Sequence, residues 1–202
     1  MNVLALYPAV APNKAWIHEQ LAGILGLVAE AVPDLAVTSR NFAGLVPQGT
    51  PGGLSDQLVQ ELEAADLVVI GAPIGHHPVT PALAEWHRRT NASKGYGAPL
   101  YAMGLNPELQ AWFSHVIRAD RTFRYTAQGP QGLLAGKKAI VLAAQTGPWH
   151  NEAMTTHQVH CIDTQLRFMG IDEIATVASD RNTNPVRQPR RWQARSAPPL
   201  AA

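Results

Sequence analysis

The chain has very little cysteine and no long apolar run. Cys161 is the only cysteine among 202 residues, so no intrachain disulfide can form, and a reducing cytoplasm is the expected compartment. No apolar stretch reaches the roughly 20 residues that cross a bilayer. The opening residues MNVLALYPAV also lack the basic segment and cleavage site of a signal peptide. We therefore expect a protein with neither a membrane span nor a leader.

Charge is scarce as well. Charged residues make up 15% of the chain and the net charge is +1, which gives no field that would attract nucleic acid or an anionic membrane. With 46% apolar residues, the chain suits one domain with a full core, which we place at residues 1–180. Residues 181–202 are rich in arginine and proline without apolar periodicity, so we expect a disordered tail there.

Apolar strand-like segments alternate with segments of helical periodicity. The first kind predicts strands at 2–7, 35–40, 66–73, 137–145 and 172–179. The second predicts helices at 13–32, 55–65 and 151–169, the first with Asn13 as N-cap and Pro33 as its stop.

This alternation, with strands that are apolar throughout, predicts an α/β fold with a parallel sheet covered on both faces. Five strands in this length favour the flavodoxin-like order 2-1-3-4-5. Ligands of such sheets bind outside the carboxyl ends of the strands, so the loops after Tyr7, Pro73 and Gln145 should carry the chemistry.

One short phrase occurs twice, as GAPIGHHPVTPALAEW at 71–86 and as GAPLYAMGLNPELQAW at 97–112. Only the second copy leads into a helix with a full apolar face, so we expect it to form the core helix. The first copy, within an insertion at about 74–98, would then be a more exposed helix or loop. A rival interpretation remains open, because Ile74 to His77 leave the third strand directly at its tip. The apolar face of the second copy consists of Leu109, Trp112, Phe113, Val116 and Ile117.

The segment RADRTFRYTAQGPQGLLAGKKAIVLAA, residues 118–144, resembles the FMN-dependent NADH-azoreductase (quinone reductase) family, which carries a similar RAGxTFRYTxxGPxGLLxGKK run. NPELQAWFSHVIRA before it and FMGIDEIATV after it are also similar, and the likeness spans about residues 1–179. It implies a flavodoxin-like homodimer that binds FMN at the strand tips. NADH or NADPH would reduce the flavin, and a quinone or azo compound would then take the electrons. No catalytic side chain is implied, since the cofactor carries the chemistry.

The resemblance places the FMN phosphate in the loop after the first strand, where the family has serines. This chain has no serine or threonine before Thr38. What remains is a helix N-terminus, a natural anion site, at Asn13, Lys14 and Ala15. An ordinary strand-to-helix turn with a solvated lysine is the alternative.

Two further loops would contact the flavin. Tyr101 matches the aromatic of the family's APMYNF loop, and Gly147 keeps a glycine for close backbone approach after the fourth strand. Phe123 and Tyr125 would line the substrate pocket, or else pack within their loop. The loop that contains Tyr101 comprises Pro99, Leu100, Tyr101, Ala102 and Met103.

Histidines near Cys161 suggest a metal cluster at first sight. However, no carboxylate placed to orient the histidines and no tight Cys/His spacing accompanies them, so we predict no metal site and interpret Cys161 as a core filler. His76 and His77 are expected to be exposed, and Trp149 to lie at the pocket mouth or a dimer contact. The candidate metal cluster comprises His150, His157, His160 and Cys161.

Because the phosphate loop lacks serines, a non-catalytic flavodoxin-like protein that has lost FMN is the alternative function.

Overall fold

The computed structural model describes residues 1–8, 15–45, 52–74, 77–78, 101–102, 105–145 and 152–179. The helices are α1 (Trp16–Ala31), α2 (Gly53–Ala64), α3 (Pro107–Val116) and α4 (Glu152–Phe168). The strands are β1 (Asn2–Tyr7), β2 (Ala36–Asn41), β3 (Leu67–Ile74), β4 (His77–Pro78), β5 (Tyr101–Ala102), β6 (Phe123–Thr126), β7 (Gly129–Gly132), β8 (Lys138–Gln145) and β9 (Glu173–Ser179).

Five of these strands form one parallel sheet in the order β2-β1-β3-β8-β9. This confirms the predicted order, since β8 and β9 are the fourth and fifth strands of the sheet. The predicted strand bounds agree with the observed ones to within about a residue. For β1, β3 and β8 the prediction held because buried parallel strands are apolar on both faces and stand out in the sequence.

Helix α1 begins later than predicted. Ala15 is its N-cap, with no side-chain capping hydrogen bond, so the prediction of Asn13 as N-cap is wrong. The capping preference of asparagine is worth only about 1 kcal/mol. Burial of Ile17 and Leu21 fixes which face of α1 packs on the sheet but not its first residue, because helix ends fray by a residue or two. The helix ends at Ala31, two residues before Pro33, as predicted.

Helix α3 is the core helix that the second copy of the repeated phrase predicts. Leu109, Trp112, Phe113 and Val116 are fully buried in the larger core cluster, which lies between the sheet and α2, α3 and α4. Asn106 caps the helix by accepting hydrogen bonds from the Glu108 and Leu109 amides at 3.0 and 3.1 Å. The predicted first-copy helix lies outside the described residues.

A smaller core cluster lies under α1 on the opposite face of the sheet. Helix α1 therefore covers the central strands on this face, whereas the edge strand β2 is largely exposed. No described helix is long and apolar enough to span a membrane. Residues 180–202 lie outside the described part of the chain, so the domain boundary and the tail stay predictions. The smaller cluster joins Val3, Ile17, Leu21, Ile24, Leu67, Val69, Leu142 and Ala144.

Strands β6 and β7 form an antiparallel hairpin whose base lies at the amino ends of the sheet strands. There the Leu134 amide donates to the Met169 carbonyl at 2.9 Å, just before β9. Arg121 forms a two-point ion pair with Glu63 at 2.9 and 2.7 Å, near the end of α2. This hydrogen-bonded carboxylate raises the pKa of Arg121 above its ordinary value.

Candidate functional site at the carboxyl edge of the sheet

The carboxyl ends of β1, β3 and β8 form one edge, and this edge has a step. β1 pairs with β3 only as far as Leu6 opposite Ile70, whereas β3 pairs with β8 up to Ile74 opposite Gln145. The two central strands therefore extend beyond β1 at this edge. In doubly wound sheets this switch point is where ligands bind.

A short two-stranded ribbon stands beyond the end of β3. His77 of β4 pairs with Ala102 of β5, and Pro78 pairs with Tyr101. β4 belongs to the first copy of the repeated phrase and β5 to the second. The two interpretations of the repeat are therefore not exclusive, because both copies contribute backbone to the same place.

The first turn of α1 lies at the carboxyl end of β1 and carries a histidine that sequence reasoning missed. His18 Nε2 lies 3.1 Å from the Pro8 carbonyl oxygen, and its ring meets Tyr7 edge-on at 5.2 Å. Tyr7 ends β1, so α1 and β1 are joined directly at the site. The only signal in the sequence is a histidine one turn into a helix that follows a proline-containing turn.

Pro8 is also held from the β3 side. A Cβ added to Gly71 would stand 2.9 Å from Pro8 Cδ and 2.6 Å from Leu21 Cδ1. Gly71 therefore permits a close approach that any side chain would prevent. The chain leaves β1 through a buried proline, wedged between β3 and α1.

The predicted flavin-contacting residues are only partly described. Ala15 lies at the N-terminus of α1, and Tyr101 and Ala102 form β5, so these three belong to the carboxyl edge. The remaining ones lie outside the described residues and stay predictions, as do His76, Trp149 and His150. They are Asn13, Lys14, Pro99, Leu100, Met103 and Gly147.

The structure does not bring Phe123 and Tyr125 to this edge. Phe123 is 7% exposed and packs 4.6 Å from Phe168, at the C-terminal end of α4. A helix of this length spans about 24 Å, and its other end faces the carboxyl edge. Tyr125 contacts Phe123 at 5.3 Å and is 76% exposed. Phe123 and Tyr125 therefore lie with Phe168 towards the amino ends of the sheet strands, and their place at a substrate pocket stays a prediction.

The histidine and cysteine residues of α4 lie on its outer side. Cys161 Sγ is 3.7 Å from His157 Nε2, and His157 and His160 line a cavity of about 540 Å³. Cys161 belongs to neither core cluster, so its interpretation as a core filler is wrong. Within the described ranges, no three His, Cys, Asp or Glu side chains are arranged to hold a metal ion.

Comparison with known proteins shows to which family the chain belongs. The profile of a family described by its flavodoxin-like fold matches residues 96–197. An FMN-dependent NADH:quinone oxidoreductase of Burkholderia pseudomallei is 32% identical over 163 residues, which are 78% of this chain and 69% of the relative. The chain belongs to the FMN-dependent NADH:quinone oxidoreductase family.

Other members of this family are longer than the part that aligns. The relative from Saccharophagus degradans is 31% identical over 154 residues, covering 76% of this chain and 59% of the relative. That from Psychromonas ingrahamii is 36% identical over 127 residues, covering 63% and 48%. The chain thus spans between about half and three-fifths of the length of these two relatives.

Solved structures show the same fold. An azoreductase from Bacillus anthracis superposes with a TM-score of 0.66 at 19% identity, covering 94% of this chain and 89% of that one. An FMN-dependent NADH-azoreductase from Bacillus anthracis, solved in complex with FMN, superposes with a TM-score of 0.63 at 16% identity, covering 89% and 87%.

Proposed function

We propose that the chain binds FMN at the carboxyl edge of its sheet and uses it to pass electrons from NADH to a quinone or an azo compound. The observation that carries this proposal is the step between β1 and β3 at the carboxyl edge, where the first turn of α1 begins and where the β4–β5 ribbon follows β3. Family membership supports the same cofactor and substrate classes. The lone cysteine supports a reducing cytoplasm as the compartment.

The residues present fit FMN, which has an anionic phosphate and a flat ring system. Ala15, at the N-cap position, has no side chain that could cap α1, and the N-terminus of a helix favours an anion such as the FMN phosphate. Asn13 and Lys14 precede that turn in the sequence, and the lysine would add a positive charge. The ribbon that contains Tyr101 offers backbone donors and acceptors near the end of β3.

Bound FMN would supply hydride and electron transfer, which no amino-acid side chain can provide. The chain's own residues bind the cofactor, orient the substrate and exclude water. In this proposal one pocket serves both substrates, so the oxidised NAD⁺ leaves before the acceptor enters. Steady-state rates measured against NADH at several quinone concentrations should give parallel double-reciprocal lines. Intersecting lines would contradict the shared pocket, and absence of turnover would contradict the activity.

We further propose a homodimer in which Tyr125 lines the substrate pocket of a second copy. Its exposure and its distance from the carboxyl edge of its own chain support this arrangement. Mixing a Tyr125→Ala variant with a Tyr101→Asp variant should restore part of the activity, because each mixed dimer then has one intact site. A monomer with full activity at micromolar concentration, measured by light scattering, would contradict the dimer.

A further inference from the structure

On one face of the sheet, α1 is the only helix among the described residues. The smaller core cluster joins α1 to the strands and contains no residue of α2, α3 or α4. Leu21 of α1 lies against Gly71 of β3, and His18 meets Tyr7 of β1, so α1 lies over β1 and β3. A helix covers about two strands, because helices pack about 8–10 Å apart and strands about 4.8 Å. In the described part of the chain, β8 and β9 therefore have no helix above them on this face.

The uncovered part of this face is apolar. Paired residues of a parallel sheet point to the same side, and Ile140 of β8 pairs with Ala175 of β9 as Leu142 pairs with Val177. Ile140 and Val177 pack at the margin of the smaller core cluster. Ile140, Ala175 and Val177, which we call the β8–β9 strip, are only half-buried. The strip lies two strand spacings, about 10 Å, from the line that α1 follows, which is where a second element would pack beside a helix.

Helix α1 turns an incompletely packed flank towards this strip. His18 and Leu27 project from opposite sides of the helix, since about two and a half turns separate them. His18 lies on the β1 side, so Leu27 and its flank neighbour Gln20 lie on the β8 side. Leu27 is 48% exposed. Gln20 Oε1 is buried and has no hydrogen-bond partner among the described residues, which is unfavourable for an acceptor.

The segment that follows β9 is long enough to fill this space. Residues 180–202 lie outside the described part of the chain and continue directly from Ser179, at the carboxyl end of β9. Strand β9 is about 23 Å long, whereas a segment of this length reaches about 70 Å when extended. One reversal of direction after Ser179 would therefore bring the segment back along the strip.

Charge favours the same contact. Residues 180–202 contain five arginines and one aspartate, a net charge of +4, which leaves −3 for residues 1–179 because the whole chain has +1. Both acidic residues of α1, Glu19 and Glu30, are exposed on the side of the helix that carries Leu27, and α1 has no lysine or arginine. Trp192 is the one aromatic residue of the segment, and its indole N–H is a donor that Gln20 Oε1 could accept.

We propose that residues 180–202 bind along the β8–β9 strip beside α1, with Trp192 between Leu27 and the strip and the arginines near the α1 carboxylates. The composition of the segment predicts no core of its own, so contact with the rest of the chain is what orders it. The contact removes half-buried apolar surface from water and supplies Gln20 with a donor. It does not depend on FMN, so this inference stands or falls separately from the proposed function.

Trypsin tests the contact on the full chain, because it cuts after arginine where the backbone is accessible. Cleavage after Arg195 is followed by mass spectrometry, with a synthetic peptide of residues 180–202 as the unprotected reference. When opening and closing are fast relative to cleavage, the rate follows the open fraction. Burial of one large apolar side chain changes that fraction by about tenfold or more. Wild type should therefore be cut at least about tenfold more slowly than the peptide.

Two substitutions in α1 should remove the protection. Leu27→Lys deletes the apolar contact and repels the arginines, so cleavage after Arg195 should approach the rate of the peptide. Leu54→Lys is the matched control, because Leu54 is 42% exposed on α2, across the sheet, and should leave protection as in wild type. Glu30→Lys should also speed cleavage, although a positive charge at the C-terminal end of α1 favours the helix itself.

Each outcome decides the matter. Cleavage of wild type as fast as the peptide overturns the proposal, and so does protection that Leu27→Lys and Glu30→Lys leave intact. Protection that weakens when the protein is diluted shows that a second copy covers the strip, which also overturns it. Thermal unfolding shows whether Leu27→Lys is folded, and if it is not, Glu30→Lys decides alone.

Discussion

Gly132 and Gly170 are in direct backbone contact. A Cβ added to Gly132 would stand 2.1 Å from the Gly170 amide nitrogen, and Gly170 has a φ of +93°. The hairpin of β6 and β7 is attached there to the turn between α4 and β9. Both glycines lie in segments that resemble the reductase family, and the contact gives a physical reason for glycine at each position.

Replacing Gly132 by alanine should therefore destabilise the protein by at least about 2 kcal/mol, since backbone on both sides must shift. Gly26→Ala is the control, because nothing lies within 4 Å of that Cβ in α1. It should stabilise the protein by about 0.5–1 kcal/mol. Urea unfolding followed by circular dichroism measures both changes, and equal stability of the two variants would contradict the contact.

Lys137 should contribute more to stability than its neighbour Lys138. Lys137 Nζ donates to the Glu63 and Ala65 carbonyls at 2.7 and 2.6 Å, at the C-terminal end of α2. Lys137→Met should cost about 1.5–3 kcal/mol, the range for hydrogen bonds to a charged group. Lys138 makes only an exposed ion pair with Glu173, so Lys138→Met should cost less than about 1 kcal/mol. The reverse order in chemical denaturation would show that Lys137 is not bonded to α2.

Variants in the β4–β5 ribbon test which copy of the repeated phrase binds FMN. Tyr101→Asp should abolish FMN retention, because it puts a negative charge beside the proposed flavin site. His76→Asp and His77→Asp should leave retention nearly intact, since the family-like aromatic stands in the second copy. Flavin content after gel filtration measures all three. If the histidine variants lose FMN and Tyr101→Asp keeps it, the first copy forms the site instead.

Much of the fold is predictable from the sequence because buried parallel strands and an amphipathic helix such as α3 leave strong periodic signals. The start of α1 is not, since the capping preference of Asn13 is weak and helix ends fray by a residue or two. The position of the β6–β7 hairpin is a second feature that could not be predicted from the sequence. An aromatic in a family-like segment suggests a pocket, but the contact of Phe123 with Phe168 depends on where α4 ends, which local patterns do not encode.

The contact made by His18 is a third feature that could not be predicted from the sequence. Its contact with Pro8 joins residues ten positions apart, and it exists only because Gly71 lets β1, β3 and α1 approach closely. No residue type at either position signals this meeting in advance. The features of the site that depend on three elements coming together are the ones that sequence reasoning missed.

The most direct test of the account is the stoichiometry of FMN binding by the purified chain. Equilibrium titration followed by absorbance in the visible range should show saturation at one FMN per chain, with FMN bound more tightly than riboflavin. A chain that stays colourless and binds no FMN under these conditions would contradict the account, and would favour a flavodoxin-like protein without the cofactor.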